Sequence, residues 1–214
     1  MARIVPTVMA ETVEQLQEAT IRLQPFAKRV HIDISDGEFA PRFLLPPGQM
    51  SWPEGWQVDI HAMVARPSEY IAQFIQLRPS LVVLHVEASE DVVPHLQALK
   101  QAGIRAGVAL LKTTVPANVA LAISEADHVM IFSGELGKFG GTASMMQLEK
   151  IRLIRKINPE VEIGWDGGAK LDNAYTLAQG GVNVINVGGA ITNAADPATM
   201  YVELEIEINK QGVI

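Results

Sequence analysis

The chain has 214 residues, of which 48% are hydrophobic and 19% are charged, and it contains no cysteine. This composition suits one substantial hydrophobic core, and the lack of cysteine excludes disulfides, thiolate metal ligands and cysteine nucleophiles. The 17 basic and 24 acidic residues give a net charge of −7, which argues against a nucleic-acid or anionic-membrane surface.

The start of the sequence resembles a strand rather than a targeting signal. Residues 1–6 lead directly into a strand-like stretch without the apolar core of a signal peptide. No apolar run reaches the ~18 residues needed to span a membrane. We therefore expect a cytoplasmic protein that binds neither membranes nor nucleic acid.

Strand-like apolar runs alternate with helix-like segments along the whole chain. Strands are predicted near residues 3–8, 29–34, 57–63, 81–86, 104–110, 127–132, 161–166 and 183–188. Helices are predicted at 12–23, 67–77, 91–102, 144–157, 171–179 and 197–210, several of which open with proline or an acidic residue. The proline-rich segment 39–56 is predicted to be a loop with at most a short helix.

This alternation predicts right-handed crossovers and a parallel sheet. Eight repeats match a closed (β/α)8 TIM barrel, an α/β fold forming a single domain over residues 1–214. A doubly wound open sheet is the alternative, because periodicity does not prove closure.

Polar residues fall mostly at the carboxyl ends of the predicted strands. TIM barrels carry their chemistry at these ends. The residues are Thr7, His31, Asp33, His61, His85, Glu87, Ser133 and Asp166.

His31 and Asp33 are the most informative of these polar residues. Side chains two residues apart share one face of a strand, so the imidazole and the carboxylate point the same way. A single strand histidine or aspartate is more often a hydrogen-bonded core residue or a turn former than a metal ligand. Together with His61 and Asp166, however, the pair would be costly to bury unless the four residues hydrogen-bond to one another or hold a cation.

Six segments, in the correct order, resemble motifs of the ribulose-phosphate 3-epimerase family. They are residues 30–37; residues 59–64 followed by Pro67 and Tyr70; residues 84–88; Phe139-Gly140-Gly141; residues 165–168 with Asn173; and residues 187–191. The resemblance covers nearly the whole chain. It implies a TIM barrel of the ribulose-phosphate-binding type.

The resemblance also implies the reaction and its catalytic residues. His31, Asp33, His61 and Asp166 would bind a divalent metal, zinc in the first place, with iron(II), manganese(II) or cobalt(II) as alternatives. Asp33 and Asp166 would form the acid/base pair on opposite faces of the substrate. The implied reaction inverts C3 of a ketose phosphate through an enediolate, and the leading candidate is D-ribulose 5-phosphate to D-xylulose 5-phosphate.

The remaining predicted site residues form the substrate pocket. The resemblance assigns Thr7, Ser35, Met63, Phe132, Gly140 and Gly141 to substrate binding. The phosphate is predicted to lie on the glycine pairs Gly167-Gly168 and Gly188-Gly189, whose amides can hold an anion beside a helix N-terminus. One such pair alone more often relieves steric crowding at a turn, but two on adjacent strands favour phosphate. The partner is thus a phosphorylated ketose, and we expect a homo-oligomer, either a dimer or a hexamer.

Departures from the family pattern leave the choice of sugar open. Ser35 and Phe132 replace methionines, Thr7 replaces a serine, and the segment 136–142 has one inserted residue and no proline. Allulose 6-phosphate is therefore an alternative substrate. A lyase of the hexulose-phosphate synthase type is less favoured, because no lysine lies between Asp33 and Phe43. A noncatalytic phosphosugar-binding relative is the third hypothesis.

Overall fold

Eight parallel strands close into one barrel in the order β1 to β8. A computed structural model describes residues 1–138 and 141–210. The strands are β1 (Arg3–Met9), β2 (Arg29–Ser35), β3 (Gln57–Met63), β4 (Leu81–His85), β5 (Arg105–Leu110), β6 (His128–Phe132), β7 (Glu162–Asp166) and β8 (Val184–Val187). Each end lies within one residue of its predicted position. The (β/α)8 prediction is confirmed, and the open-sheet alternative is wrong.

The helices follow the strands as the alternation predicts. They are α1 (Val13–Leu23), α2 (Ile71–Leu77), α3 (Val93–Gln101), α4 (Ala120–Glu125), α5 (Glu149–Ile157), α6 (Leu171–Gln179), α7 (Gly189–Thr192) and α8 (Pro197–Asn209). Two segments predicted as α-helix, Pro67–Glu69 and Met145–Leu148, instead form 3-10 turns before α2 and α5. The predicted loop over residues 39–56 contains one 3-10 turn, Pro47–Gln49.

The sequence did not predict two of these helices, α4 and α7. The first spans six residues after a 3-10 turn at Pro116–Val119, and the second spans four. Such segments complete fewer than two helical turns, which is too short to show an apolar period.

The main hydrophobic core lies between the barrel and its helices. Val30, Ile32 and Ile34 of β2 pack there with helix residues such as Leu16 and Leu23. The alternation along β2 therefore turns His31, Asp33 and Ser35 toward the barrel interior. None of the helices in residues 1–138 and 141–210 is long and apolar enough to cross a bilayer.

A network of charged side chains fills the amino-terminal end of the barrel. Arg29 donates from Nε to Asp59 Oδ2 at 2.7 Å and from both terminal nitrogens to the Glu162 carboxylate at 3.0 and 2.9 Å. Arg105 and His128 also contact Glu162, at 3.1 and 2.9 Å. Burial favours the neutral form of Glu162, but hydrogen bonds from His128 and Arg29 outweigh it and hold its pKa far below the usual value. This end of a TIM barrel typically serves stability.

Glu162→Gln should destabilise the protein by about 3–5 kcal/mol at pH 7, because it removes one of the two carboxylates that balance the charge of the buried Arg29 guanidinium. The depressed pKa means that the stabilisation is complete above the unfolded-state value of about 4.3 and is lost as the pH falls through the folded-state value. Urea unfolding at pH 7 and at pH 4 measures both effects, and the difference between variant and wild type should narrow at the lower pH. Exposed Glu160 supplies the matched control, Glu160→Gln. Equal stability of the two variants at pH 7 would show that the charge of Glu162 does not stabilise the fold.

Candidate active site

Four residues from three strands converge at the carboxyl end of the barrel. His31 and Asp33 lie on β2, His61 on β3 and Asp166 at the end of β7. The register places Asp33 beside His61 on the neighbouring strand. One potential ligand atom from each residue lies within 4.8 Å of the other three. The structure therefore brings together all four residues of the predicted metal site.

Asp33 is the centre of the polar contacts within this group. Its Oδ1 atom lies 2.8 Å from His61 Nδ1 and 3.2 Å from His31 Nε2. Asp166 Oδ2 lies 4.0 Å from the same His61 nitrogen. The Asp33 side chain is 5% exposed and that of Asp166 is 13% exposed, so Asp166 is the more open of the two carboxylates.

The surroundings move the pKa values of the two aspartates in opposite directions. Burial would raise the pKa of Asp33, but hydrogen bonds from His31 and His61 outweigh it and hold this pKa well below its usual value. Burial raises the pKa of Asp166, and the nearby Asp33 carboxylate raises it further. Two carboxylates whose environments separate their proton affinities are typical of an acid/base pair.

The donor set fits a divalent cation. Two imidazole nitrogens and two carboxylates are ligands that zinc and other borderline divalent metals accept. Ligand atoms bound to one such ion at about 2.0–2.2 Å can be at most about 4.4 Å apart. The four atoms here all lie within 4.8 Å of one another, so small side-chain movements bring them into range.

A cavity of about 290 Å³ opens directly above these residues. Its size is near the lower end of the ~300–1,000 Å³ range of small-molecule sites, which suits a small substrate. The predicted site residues that line it are Thr7, Asp33, His61, Met63, Phe132, Gly141, Asp166, Gly167, Gly168, Gly188 and Gly189.

Three predicted site residues are not among the described residues that line this cavity. His31 is buried, and its Nε2 atom lies 3.2 Å from Oδ1 of Asp33, which does line the cavity. Ser35 is turned into the bend after β2, where its Oγ atom accepts a hydrogen bond from the Gly37 amide at 3.4 Å. Gly140 lies outside the described residues.

Phe132 forms an apolar wall beside the two interior histidines. Its ring centroid lies 5.7 Å from that of His61 and 5.8 Å from that of His85. It also packs with Met130 and Leu81 in a hydrophobic cluster inside the barrel. Phe132 therefore excludes water from one side of His61.

The paired glycines after β7 are required by close backbone packing. Gly167 and Gly168 have φ angles of +98° and +73°, in the region that favours glycine. A Cβ atom at Gly167 would overlap the backbone nitrogen of Gly134, and one at Gly168 would overlap that of Ala143. Close packing therefore accounts for both glycines, and the same two residues also line the cavity.

Asn186 is a cavity residue that the sequence analysis missed. It lies on β8, is 2% exposed and donates from Nδ2 to Met130 Sδ at 3.4 Å. Neither its Oδ1 atom nor Thr7 Oγ1 has a hydrogen-bond partner in the described part of the chain. An asparagine within the apolar run of β8 was the available signal. Four further polar residues of the lining were also missed, namely Glu135, Lys138, Lys170 and Asn193.

A row of hydrogen bonds extends from His61 away from the cavity. His61 Nε2 lies 2.8 Å from His85 Nε2, and His85 Nδ1 lies 3.2 Å from Glu87 Oε2. Burial lowers the pKa of His85 to about 4, so its ring is neutral at neutral pH. The sequence placed His85 and Glu87 at a strand end but did not connect them with the metal site.

Comparisons with known proteins identify the family of this chain. The sequence profile of the ribulose-phosphate 3 epimerase family matches residues 3–192. The chain is 30% identical to ribulose-phosphate 3-epimerase of Aquifex aeolicus over 86% of this chain and 84% of the relative. It is 32% identical to the cytoplasmic isoform of that enzyme from Oryza sativa, over 92% of this chain and 90% of the relative.

Solved structures agree on the fold. The chain is similar to 3-hexulose-6-phosphate synthase from Salmonella typhimurium, with a TM-score of 0.67 and 18% identity over 96% of this chain and 98% of the other. Identity this low supports the barrel architecture alone. The family profile, by contrast, matches the sequence itself over residues 3–192. This match shows that the chain belongs to the ribulose-phosphate 3-epimerase family of isomerases.

Proposed function

We propose that this chain is a metal-dependent epimerase that inverts C3 of a ketose phosphate, with D-ribulose 5-phosphate to D-xylulose 5-phosphate as the leading reaction. The observation that carries this proposal is the pair Asp33 and Asp166, which lies with two histidines at the base of a substrate-sized cavity. The names of the Aquifex and rice relatives support the choice of substrate.

The two aspartates would move the proton. One carboxylate takes the C3 proton from one face of the substrate, the other returns a proton to the opposite face, and the roles exchange in the reverse direction. Asp33, held ionised by its depressed pKa, suits the accepting role, whereas Asp166, with a raised pKa, suits the donating role.

A base as weak as Asp33 needs a more acidic C3–H bond. Proton removal leaves an enediolate, and its negative charge must be stabilised for the step to proceed. A divalent cation held by His31, Asp33, His61 and Asp166 would supply that stabilisation as a Lewis acid. Zinc is our first candidate, and iron(II), manganese(II) and cobalt(II) are compatible with the same ligands.

The ends of β7 and β8 would hold the phosphate. Gly167, Gly168, Gly188 and Gly189 all line the cavity, and backbone without side chains allows an anion to approach the amides closely. Lys170 also lines the cavity and is paired with Asp172 at 2.9 Å. This position lies at the carboxyl ends of strands seven and eight, where TIM barrels frequently bind phosphate.

Gly168→Ala should raise KM at least ~10-fold, which corresponds to about 1.4 kcal/mol of lost binding. The new Cβ atom would overlap the backbone at Ala143, so the Gly168 backbone beside the proposed phosphate position would have to move. Gly55→Ala is the matched control, because Gly55 also has a positive φ of +87° but nothing lies within 4 Å of the added atom. Steady-state kinetics on both variants make the comparison. An unchanged KM in Gly168→Ala would count against this phosphate site.

The unpartnered polar atoms at the cavity would recognise the sugar. Thr7 Oγ1 and Asn186 Oδ1 are buried without partners among the described residues, and a buried polar group is costly unless something binds to it. Substrate hydroxyl or carbonyl oxygens are suitable partners for the Thr7 hydroxyl, and a substrate hydroxyl is a suitable donor to Asn186. Met63 and Phe132 supply the apolar wall, and Gly141 contributes backbone next to the opening.

Product analysis identifies the sugar. Ribulose 5-phosphate and allulose 6-phosphate are each incubated with the metal-loaded protein, and the epimers are resolved by NMR. We expect a higher kcat/KM for ribulose 5-phosphate. Preference for allulose 6-phosphate would replace the leading substrate, and epimerisation of neither would favour the noncatalytic alternative. Carbon–carbon bond cleavage would instead indicate a lyase, a function that is supported here only by the similarity in fold to 3-hexulose-6-phosphate synthase.

The location and assembly expected from the sequence belong to the same proposal. The rice relative, whose name describes a cytoplasmic isoform, supports a cytoplasmic enzyme. We retain a homo-oligomer, either a dimer or a hexamer, as the proposed assembly.

A further inference from the structure

We propose that His85 and Glu87 are positioning residues that fix the tautomer of His61, so that its Nδ1 lone pair points at the cation. The inference rests on the metal site proposed above and assigns a purpose to two residues outside it. Neither residue is among the four that offer ligand atoms to that site.

The direction of each hydrogen bond is set by the Glu87 end of the row. One Glu87 oxygen accepts from the Leu111 amide at 2.8 Å and from the Thr114 hydroxyl. The other lies 3.2 Å from His85 Nδ1. An ionised carboxylate only accepts hydrogen bonds, so His85 Nδ1 carries a hydrogen and donates it to Glu87.

The metal end of the row requires the same hydrogen positions. An imidazole that binds a cation through Nδ1 carries its hydrogen on Nε2, so His61 donates from Nε2 when the proposed metal is bound. His85 Nε2 lies 2.8 Å away and must therefore accept, which leaves the His85 hydrogen on Nδ1, facing Glu87. Hydrogen on Nε2 leaves the Nδ1 lone pair of His61 free for the cation.

The free lone pair points into the metal site. His61 Nδ1 lies 2.8 Å from Asp33 Oδ1 and 4.0 Å from Asp166 Oδ2. With the metal bound, the Nδ1 lone pair and the two carboxylate oxygens face the cation together, whereas without it Nδ1 donates a hydrogen bond to Asp33 across the same 2.8 Å. The Glu87 carboxylate thus prepares His61 as a ligand from two hydrogen bonds away, as outer partners of metal-binding histidines commonly do.

The hydrogen bonds between His61, His85 and Glu87 are shielded from water, which restricts the two histidines to one set of hydrogen positions. His61 and His85 are both 0% exposed. The Phe39 ring lies 4.7 Å from the His85 ring, and Phe132 lies 5.8 Å away on another side. Solvent therefore does not supply the donor or acceptor that a different tautomer would need.

Glu87→Gln tests this arrangement because it replaces an acceptor with a donor at nearly constant size. The glutamine oxygen can keep the Leu111 amide, which turns its NH2 group toward His85 Nδ1. His85 must then accept at Nδ1 and donate at Nε2, which forces His61 to accept at Nε2 and to carry its hydrogen on Nδ1, the nitrogen that faces the metal. We expect affinity for Zn²⁺ or Co²⁺ to fall ~10- to 100-fold, the usual effect of losing an outer-shell partner.

Glu90→Gln is the matched control, because Glu90 is three residues away and contacts Ser68 and His95 instead of the row. Affinity is measured for wild type and both variants by competition with a chromophoric chelator, and thermal unfolding confirms that each is folded. The control should match wild type. If folded Glu87→Gln binds Zn²⁺ as tightly as Glu90→Gln, the positioning role is wrong while the metal site stands.

A second measurement needs no variant. Long-range ¹⁵N–¹H NMR of zinc-loaded wild type reports which nitrogen of each histidine is protonated. We expect His85 to carry its hydrogen on Nδ1 and His61 to carry its hydrogen on Nε2. His85 with its hydrogen on Nε2 would overturn the inference. Failure of wild type to bind Zn²⁺ would instead refute the proposed metal site on which the inference rests.

Discussion

Asp166→Asn should lower kcat/KM by at least ~10³-fold while the barrel remains folded, because in the proposed mechanism the variant loses a proton carrier and a charged metal ligand together. Asp166 is the more exposed carboxylate of the pair, with 13% of its side chain accessible. Its replacement therefore disturbs packing little. Asparagine keeps the shape of the side chain but cannot exchange a proton. Steady-state kinetics together with thermal unfolding separate the loss of chemistry from a loss of fold.

Asp33→Asn should cause a loss of the same order. Asp33 holds both imidazoles through one oxygen, at 2.8 and 3.2 Å, so the variant weakens the whole ligand set. Asp91→Asn is the control, since Asp91 is exposed and contacts the backbone of Val93 instead. Normal turnover in either metal-site variant, with Asp91→Asn also normal, would refute the two-aspartate mechanism.

Removal of the proposed metal should abolish activity and spare the fold. The closed barrel and its core hold the strands together without the four ligands. A chelator followed by desalting should therefore give a folded, inactive protein, and one equivalent of divalent metal per chain should restore turnover. A ligand that binds only the folded state at 100 times its Kd adds about 2.7 kcal/mol of stability, so the melting temperature should rise on reconstitution.

Elemental analysis of the same samples measures how much of each metal is bound and so relates activity to metal content. Restoration by zinc, iron(II), manganese(II) and cobalt(II) is compared at equal occupancy, which identifies the preferred metal. Full activity in a preparation shown to contain almost no metal would contradict the Lewis-acid role. Loss of the fold on chelation would show that the metal is structural as well.

The fold was predictable because its signals are local. Each strand shows as a short apolar run, and prolines such as Pro197 and capping residues such as Thr12 mark where helices begin. Closure of the barrel depends on pairing between β1 and β8, which are separated by most of the chain. A periodic pattern carries no information about such a distant contact.

The site was predictable to the extent that each residue occupies a strand end within a known motif. The alternation of β2 places His31 and Asp33 on one face, and the match to family motifs adds His61 and Asp166. Side-chain orientation was not predictable, and Ser35 illustrates this, since it lies on the interior face of β2 but is turned toward Gly37. Asn186 and the row from His61 to Glu87 depend on distances between strands that are remote in sequence.

The origin of the C3 hydrogen in the product tests the two-aspartate proposal most directly. Wild-type protein with bound metal is mixed with ribulose 5-phosphate in D2O, and the reaction is stopped at low conversion. Proton removal by one aspartate and delivery by the other predicts that the xylulose 5-phosphate formed carries deuterium at C3, whereas the remaining ribulose 5-phosphate is still largely unlabelled. Product that retains the original hydrogen at C3 would show that a single group moves the proton and would contradict the mechanism.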